Sequence, residues 1–199
     1  GEFAGKAFSE AGYGLTARGI EFLEEMENLG MIIDVAHLND AGIRDVLKFT
    51  KKPFVASHSN ARHLCSHPRN LNDELLKAIG ERGGVIGLNY YAYFLRDWKD
   101  GETVVSRAED IVAHAKYICD MAGIEALGLG SDFDGMNGEL EIASPADMTK
   151  LEDVFKKNGF TEKKNKEIVS QNPFLPYALI LTRQELKKLA ERNGETYTS

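Results

Sequence analysis

Polar side chains capable of chemistry follow short apolar runs in this chain. His37 follows residues 31–36 (Met-Ile-Ile-Asp-Val-Ala), His58 follows 53–57 (Pro-Phe-Val-Ala-Ser), and Asp132 closely follows 126–130 (Ala-Leu-Gly-Leu-Gly). Imidazole is the commonest metal ligand, and two imidazoles at neighbouring strand ends can share a cation if a second group fixes each tautomer. The same two residues read equally well as hydrogen-bonded loop histidines. Asp132 lies in Gly130-Ser131-Asp132-Phe133-Asp134-Gly135, where small residues allow a sharp turn that presents a carboxylate. Asx-rich turns are also ordinary loops, and the spacing of a calcium EF-hand is absent. Arg69, in His67-Pro68-Arg69-Asn70, carries a guanidinium suited to two-pronged capture of a carboxylate, with a solvent-exposed arginine as the plainer reading. His63, His67 and His114 have no strand-end placement and are assigned no metal.

Positioning these groups requires strands whose ends converge. The apolar runs 31–36, 53–57, 84–89 and 126–130 are short and bounded by turn residues, which predicts parallel strands buried on both faces. Amphipathic stretches separate them. Ile20, Leu23, Met26 and Leu29 precede a stop at Gly30, Ile43, Val46 and Leu47 follow the Asn39-Asp40 cap, and Leu75, Leu76 and Ile79 follow Asn72-Asp73. A longer helix is predicted from about Val104 to Met121, and another starts at Ser144-Pro145 with Asp147 reaching back to the cap. Asn172-Pro173-Phe174-Leu175-Pro176 breaks any helix before Thr182 and Glu185 offer a fresh capping box, which predicts a terminal helix over about 183–192. This alternation is that of an α/β fold built from parallel βα units, in which ligands collect at the strand carboxyl ends.

A net charge of −7 argues against a nucleic-acid surface, which needs a basic face to neutralise phosphates. The two cysteines, Cys65 and Cys119, form no C-x-x-C pair, and reduced thiols are the simplest reading. No apolar run approaches the roughly 20 residues that cross a bilayer, and the polar opening Gly1-Glu2-Phe3-Ala4-Gly5-Lys6 lacks a signal-peptide core. The expected location is therefore the cytoplasm.

Four segments, Gly30 to His37, Ser57-His58-Ser59-Asn60, His67-Pro68-Arg69-Asn70-Leu71 and Gly130 to Gly135, occur in this order with Gly83-Gly84-Val85-Ile86-Gly87 between them. Together they resemble the ordered motifs of the membrane (renal) dipeptidase family over about residues 14–172. The resemblance implies a TIM-barrel metallopeptidase with two zinc ions bridged by a carboxylate and a hydroxide, cleaving dipeptides and tolerating D-residues at the carboxyl-terminal position. It implies His37 and His58 as ligands of the second zinc, Arg69 as the holder of the substrate carboxylate, and Asp132 as the group handling protons at the tetrahedral intermediate or leaving amine. In that scheme a metal-bound hydroxide attacks a carbonyl polarised by the metals.

The family's first zinc also needs a His-x-Asp pair and a bridging glutamate from earlier strands. No His-x-Asp occurs here. The chain is thus expected to be a single partial-barrel domain over 1–199 resembling the C-terminal half of a (β/α)8 barrel, with 173–199 as a divergent extension; a complete barrel takes about 250 residues. At most one zinc is expected in this chain alone. The expected function is zinc-dependent dipeptide hydrolysis by a fragment lacking the N-terminal ligands. The alternative is an inactive half-barrel serving as a binding or assembly module, because unpaired strand edges invite association. Expected partners are a dipeptide, a complementing N-terminal half, or a second copy.

Overall fold

The short apolar runs become a parallel sheet because capped helices return the chain to the same sheet edge each time. The computed structural model describes residues 2–5 and 12–161. Thr16 caps α1 (Ala17–Asn28) by accepting from Gly19 N at 3.1 Å, and Asn39 caps α2 (Asp40–Phe49) by accepting from Gly42 N at 2.8 Å. After β1 (Val55–Ala56), Asn72 caps α3 (Asp73–Glu81) by accepting from Leu75 N at 2.9 Å. Each cap satisfies an amide that helix geometry leaves orphaned, an effect of about 1 kcal/mol. The chain continues through β2 (Val85–Leu88), α4 (Ala92–Leu95), β3 (Val105–Ser106), α5 (Ala108–Ala122), β4 (Leu127–Leu129), β5 (Glu139–Leu140) and α6 (Met148–Lys157).

The main sheet runs β1-β2-β4, all parallel, with Val55 opposite Val85 and Leu88 opposite Leu129. The first predicted strand lies beside β1 but narrows to one parallel bridge, Asp34 with Val55, held by Val35 N to Val55 O at 2.7 Å and Val55 N to Ile33 O at 2.9 Å. The four predicted runs therefore lie side by side in chain order, as successive βα units of a barrel do. Where β2 and β4 pass Ser57 the backbones close up: a Cβ on Gly87 or on Gly130 would sit 2.0 Å from the Ser57 carbonyl oxygen. Only glycine permits that approach.

Leu75, Leu76 and Ile79 of α3 and Ile111 and Ile118 of α5 are fully buried in one core with Phe54, Ile86, Leu88 and Leu127. Burying each such side chain contributes about 1.5–3 kcal/mol. Along the first run burial alternates: Ile33 and Val35 are buried while Ile32 and Asp34 are exposed. Ile32 is joined in exposure by Met31 (52%), Leu29 (67%) at the end of α1, and Phe22 (54%) on its outer face beside Phe3. Among the described residues, no helix is long and apolar enough to cross a membrane.

The predicted helix from Val104 begins instead at Ala108. Val105 and Ser106 pair in parallel with Glu139 and Leu140, and the start of α5 is set by Glu141, whose Oε2 accepts from Ala108 N at 2.9 Å. A cap supplied from 33 residues away leaves no local signature. Ser144 and Asp147 behave as expected: Ser144 Oγ accepts from Ala146 N, and Asp147 reaches back to Ala143 N at 3.3 Å, ahead of α6. The predicted terminal helix over 183–192, and the extension 173–199, lie outside the described residues.

His114, on α5, is fully buried as a cross-brace: Ala61 N donates to its Nδ1 at 3.1 Å, and its Nε2–H donates to the Leu95 carbonyl at 2.8 Å. Burial pushes its pKa down from 6.5 to about 4, against the opposing effect of the Leu95 hydrogen bond. The unfolded chain thus takes up a proton that the folded chain refuses. Stability is intact above pH 6.5 and falls as the pH drops from there to about 4, by roughly 3 kcal/mol in all. Urea denaturation of the chain at a series of pH values is expected to show this acid limb, and His114→Gln, which preserves one acceptor and one donor, is expected to flatten it.

Candidate functional site

His37 and His58 leave adjacent strand ends and meet. Their Nε2 atoms are 3.0 Å apart, with ring centroids at 5.0 Å and an interplanar angle of 63°. Behind them stands a relay that fixes the protons. Asp34 Oδ1 accepts from Ser57 N at 3.0 Å and Ala36 N at 3.1 Å, and its Oδ2 lies 2.5 Å from Ser57 Oγ. A carboxylate only accepts, so the Ser57 hydroxyl donates to it. Ser57 Oγ, 2.8 Å from His58 Nδ1, is then left to accept. His58 accordingly carries its proton on Nδ1 and presents a lone pair at Nε2, and His37 Nε2–H fills the short contact. Two imidazole nitrogens converging in this way fit a divalent cation that takes nitrogen ligands, with the cation replacing the shared proton.

The surroundings of His37 favour its neutral form. Burial first, then the positive charge of Arg69, holds His37 below the ordinary 6.5, while Asp132 and Asp34 act in the opposite direction. Among the described residues, no group of three or more His, Cys, Asp or Glu side chains is placed to hold a metal. Two imidazoles alone fall short of the three protein ligands of an open zinc site.

Arg69 is buried, at 6% exposure, so the solvent-exposed reading does not hold. Its Nε donates to the Ala36 carbonyl at 2.9 Å and its guanidinium lies over Phe94, 5.4 Å from the ring centroid. Burial works against its charge, and Asp132 and Asp34 oppose that effect. The loop carrying it is tied down at both ends: Arg62 grips both Asp40 carboxylate oxygens at 2.7 Å, and buried Asn70 donates to the Cys65 and Phe94 carbonyls at 2.9 Å.

Asp132 follows β4 and is the one non-glycine residue with positive φ among the described residues, at φ 69° and ψ 34°. A left-handed aspartate is uncommon and costs on the order of 1 kcal/mol or more. Gly135 makes room for it, since a Cβ there would lie 2.4 Å from Asp132 Oδ1. On its other side Asn89, at the end of β2, donates from Nδ2 to Asp132 Oδ2 at 3.1 Å.

The four residues singled out in the sequence thus gather at one sheet edge. His63 stacks on Tyr117 at 4.8 Å, whereas His67 supports Arg69: it packs on the same Phe94 ring at 4.4 Å, and its Nδ1 accepts from Arg69 N at 3.2 Å. Sequence reasoning passed over Asp34, Ser57 and Asn89 as actors. The signal for Ser57 and Asn89 was the one used for His58: a polar residue ending a buried strand.

The family described as membrane dipeptidase, peptidase family M19, matches residues 2–175. An uncharacterized protein from the pqqA 5′ region of Klebsiella pneumoniae is 37% identical over 164 residues, 81% of this chain and 59% of that protein. An uncharacterized dipeptidase of Schizosaccharomyces pombe is 41% identical over 123 residues, 62% of this chain and 29% of its own length. Among solved structures, a metallo peptidase from Rhodobacter sphaeroides liganded with a phosphinate mimic of the dipeptide L-Ala-D-Ala superposes with a TM-score of 0.74 at 33% identity, covering 85% of this chain and 48% of that one. The chain spans about half the length of that solved relative.

The relay makes a measurable claim. Ser57→Ala frees His58 to adopt either tautomer, and the affinity of the chain for Zn2+ is expected to fall by about 10- to 100-fold in calorimetric titration at pH 7. Unchanged affinity would show the relay to be idle.

Proposed function

Since this chain belongs to the membrane dipeptidase family, peptidase family M19, we propose that it is one partial-barrel domain carrying half of a zinc-dependent dipeptide-hydrolysing site. The observation that carries this reading is the 3.0 Å approach of His37 Nε2 and His58 Nε2 at neighbouring strand ends, with the His58 tautomer fixed from behind. His37 and His58 would hold one zinc. The family's other zinc, with the His-x-Asp pair and bridging glutamate it requires, would belong to a complementing N-terminal half. When bound, zinc supplies Lewis acidity that polarises the scissile carbonyl and makes water a nucleophile near neutral pH.

Arg69 takes the substrate carboxylate. Its guanidinium plane is held by the Ala36 carbonyl and the Phe94 ring, so less freedom is lost when a carboxylate docks. Asp132 carries the proton: its carboxylate accepts one as attack on the peptide carbon proceeds and delivers it to the departing amine nitrogen. The dipeptide mimic bound by the Rhodobacter enzyme supports a substrate of that size. The exposed side chains of Phe22, Leu29 and Met31 favour a second reading, an assembly module whose open edge is covered by the complementing half or by a second copy.

Elemental analysis of the purified 199-residue chain is expected to find about one zinc per chain, lost in the His37→Ala, His58→Ala double mutant. Metal-free protein in both cases would sink the half-site reading and leave the assembly module. In the protein completed by its N-terminal half, Arg69→Lys is expected to raise KM for dipeptides by about 10- to 100-fold, the worth of a charged hydrogen-bond pair, and to leave hydrolysis of dipeptide amides little changed.

A further inference from the structure

Asn89 is fully buried, and its hydrogen bonds fix which way its amide points. Its backbone N–H donates to Asn60 Oδ1 at 3.1 Å, and its carbonyl accepts from Asn60 Nδ2 at 2.9 Å. Its side-chain Oδ1 accepts from Tyr91 N at 2.7 Å. A backbone N–H can only donate, so the atom facing it must be the carbonyl oxygen. The NH2 group must therefore face Asp132 Oδ2, 3.1 Å away. Flipping the amide would set donor against donor and oxygen against carboxylate at once.

The two loops are also locked together by backbone: Gly130 N donates to the Leu88 carbonyl at 3.0 Å and Tyr90 N to the Ser131 carbonyl at 3.1 Å. Asp132 is thus gripped from two directions. Its own left-handed backbone sets where the carboxylate starts, and Asn89 sets how the carboxylate is turned.

We propose that Asn89 is a positioning residue for Asp132: its amide selects the carboxylate orientation from which Asp132 accepts and returns the proton of peptide hydrolysis. This rests on the proton-carrying role given to Asp132 above. Asn89 itself touches no reacting atom. Its donor holds one carboxylate oxygen and biases the proton toward the other.

The test separates this role from a plain turn cap at Tyr91. Asn89→Asp keeps an oxygen for Tyr91 N–H but turns a carboxylate oxygen toward Asp132, whereas Asn89→Ala removes both functions. A residue that only capped the turn would leave N89D at full rate and N89A damaged. Positioning reverses that order. In the protein completed by its N-terminal half, N89D is expected to lose about 10²-fold in kcat and to fall below N89A, with KM and zinc content unchanged. Should N89D fail to accumulate folded, Asn89→Ser serves: its hydroxyl caps Tyr91 but cannot reach Asp132, and kcat is expected to drop by about tenfold or more.

In the 199-residue chain itself, the Asn89 side-chain amide resonances are expected to move in Asp132→Ala. Unmoved resonances overturn the contact. Full-rate N89D beside an inactive Asp132→Asn overturns the positioning role alone. A fully active D132N overturns the parent reading, and the role of Asn89 with it.

Discussion

Hydrogen bonds between neighbouring strands set the heights of four strand ends, and the chemistry of the site depends on those heights. Val55 is held to the 33–35 run on one side and paired with Val85 on the other, and Leu88 pairs with Leu129. A slip of one residue would reverse every side chain between core and site, and the apolar helices allow none. Gly87 and Gly130 close against the Ser57 carbonyl, so the register is guarded by backbone contact as well as by burial. The Nε2 contact of His37 with His58 and the Asn89 contact with Asp132 both follow from that alignment.

Much of this was legible in the sequence because it rests on local rules. Apolar runs bounded by turns mark the strands, and Asn39 and Asn72 announce their helices by residue type alone. The strand-end rule found His37, His58 and Asp132. What escaped was relational. Glu141 caps α5 from a distant loop, which moves the helix start past Val104. The burial of Arg69 depends on Phe94 and the Ala36 carbonyl, neither adjacent to it in sequence. Asp34 reads as one polar interruption of an apolar run, and its purpose appears only when Ser57 comes alongside.

The site is built from polar groups that are costly to bury, and the structure pairs most of them: the amides of Asn60 and Asn89 are met at both ends, and that of Asn70 through its Nδ2 donor. Asn60, Asn70 and Asn89 are all close to fully buried, and their amides tie separate loops to one another. An unmet amide in such surroundings costs about 1–3 kcal/mol, so Asn60 and Asn89 select strongly for one arrangement of their neighbours. The strained backbone at Asp132 persists because this surrounding framework over-determines it.

The exposed side chains of Phe22, Leu29, Met31 and Ile32 have a consequence for the life of the polypeptide as well as for its chemistry. Exposed apolar side chains beside a strand edge are a feature that folding helpers and degradative machinery survey in a cell. Under the assembly reading proposed above, a molecule displaying them would be handled as an unfinished folding product until the complementing half or a second copy covered them. Its abundance would then be governed by the speed of that covering, and the amount of partner present would control how much of this protein survived.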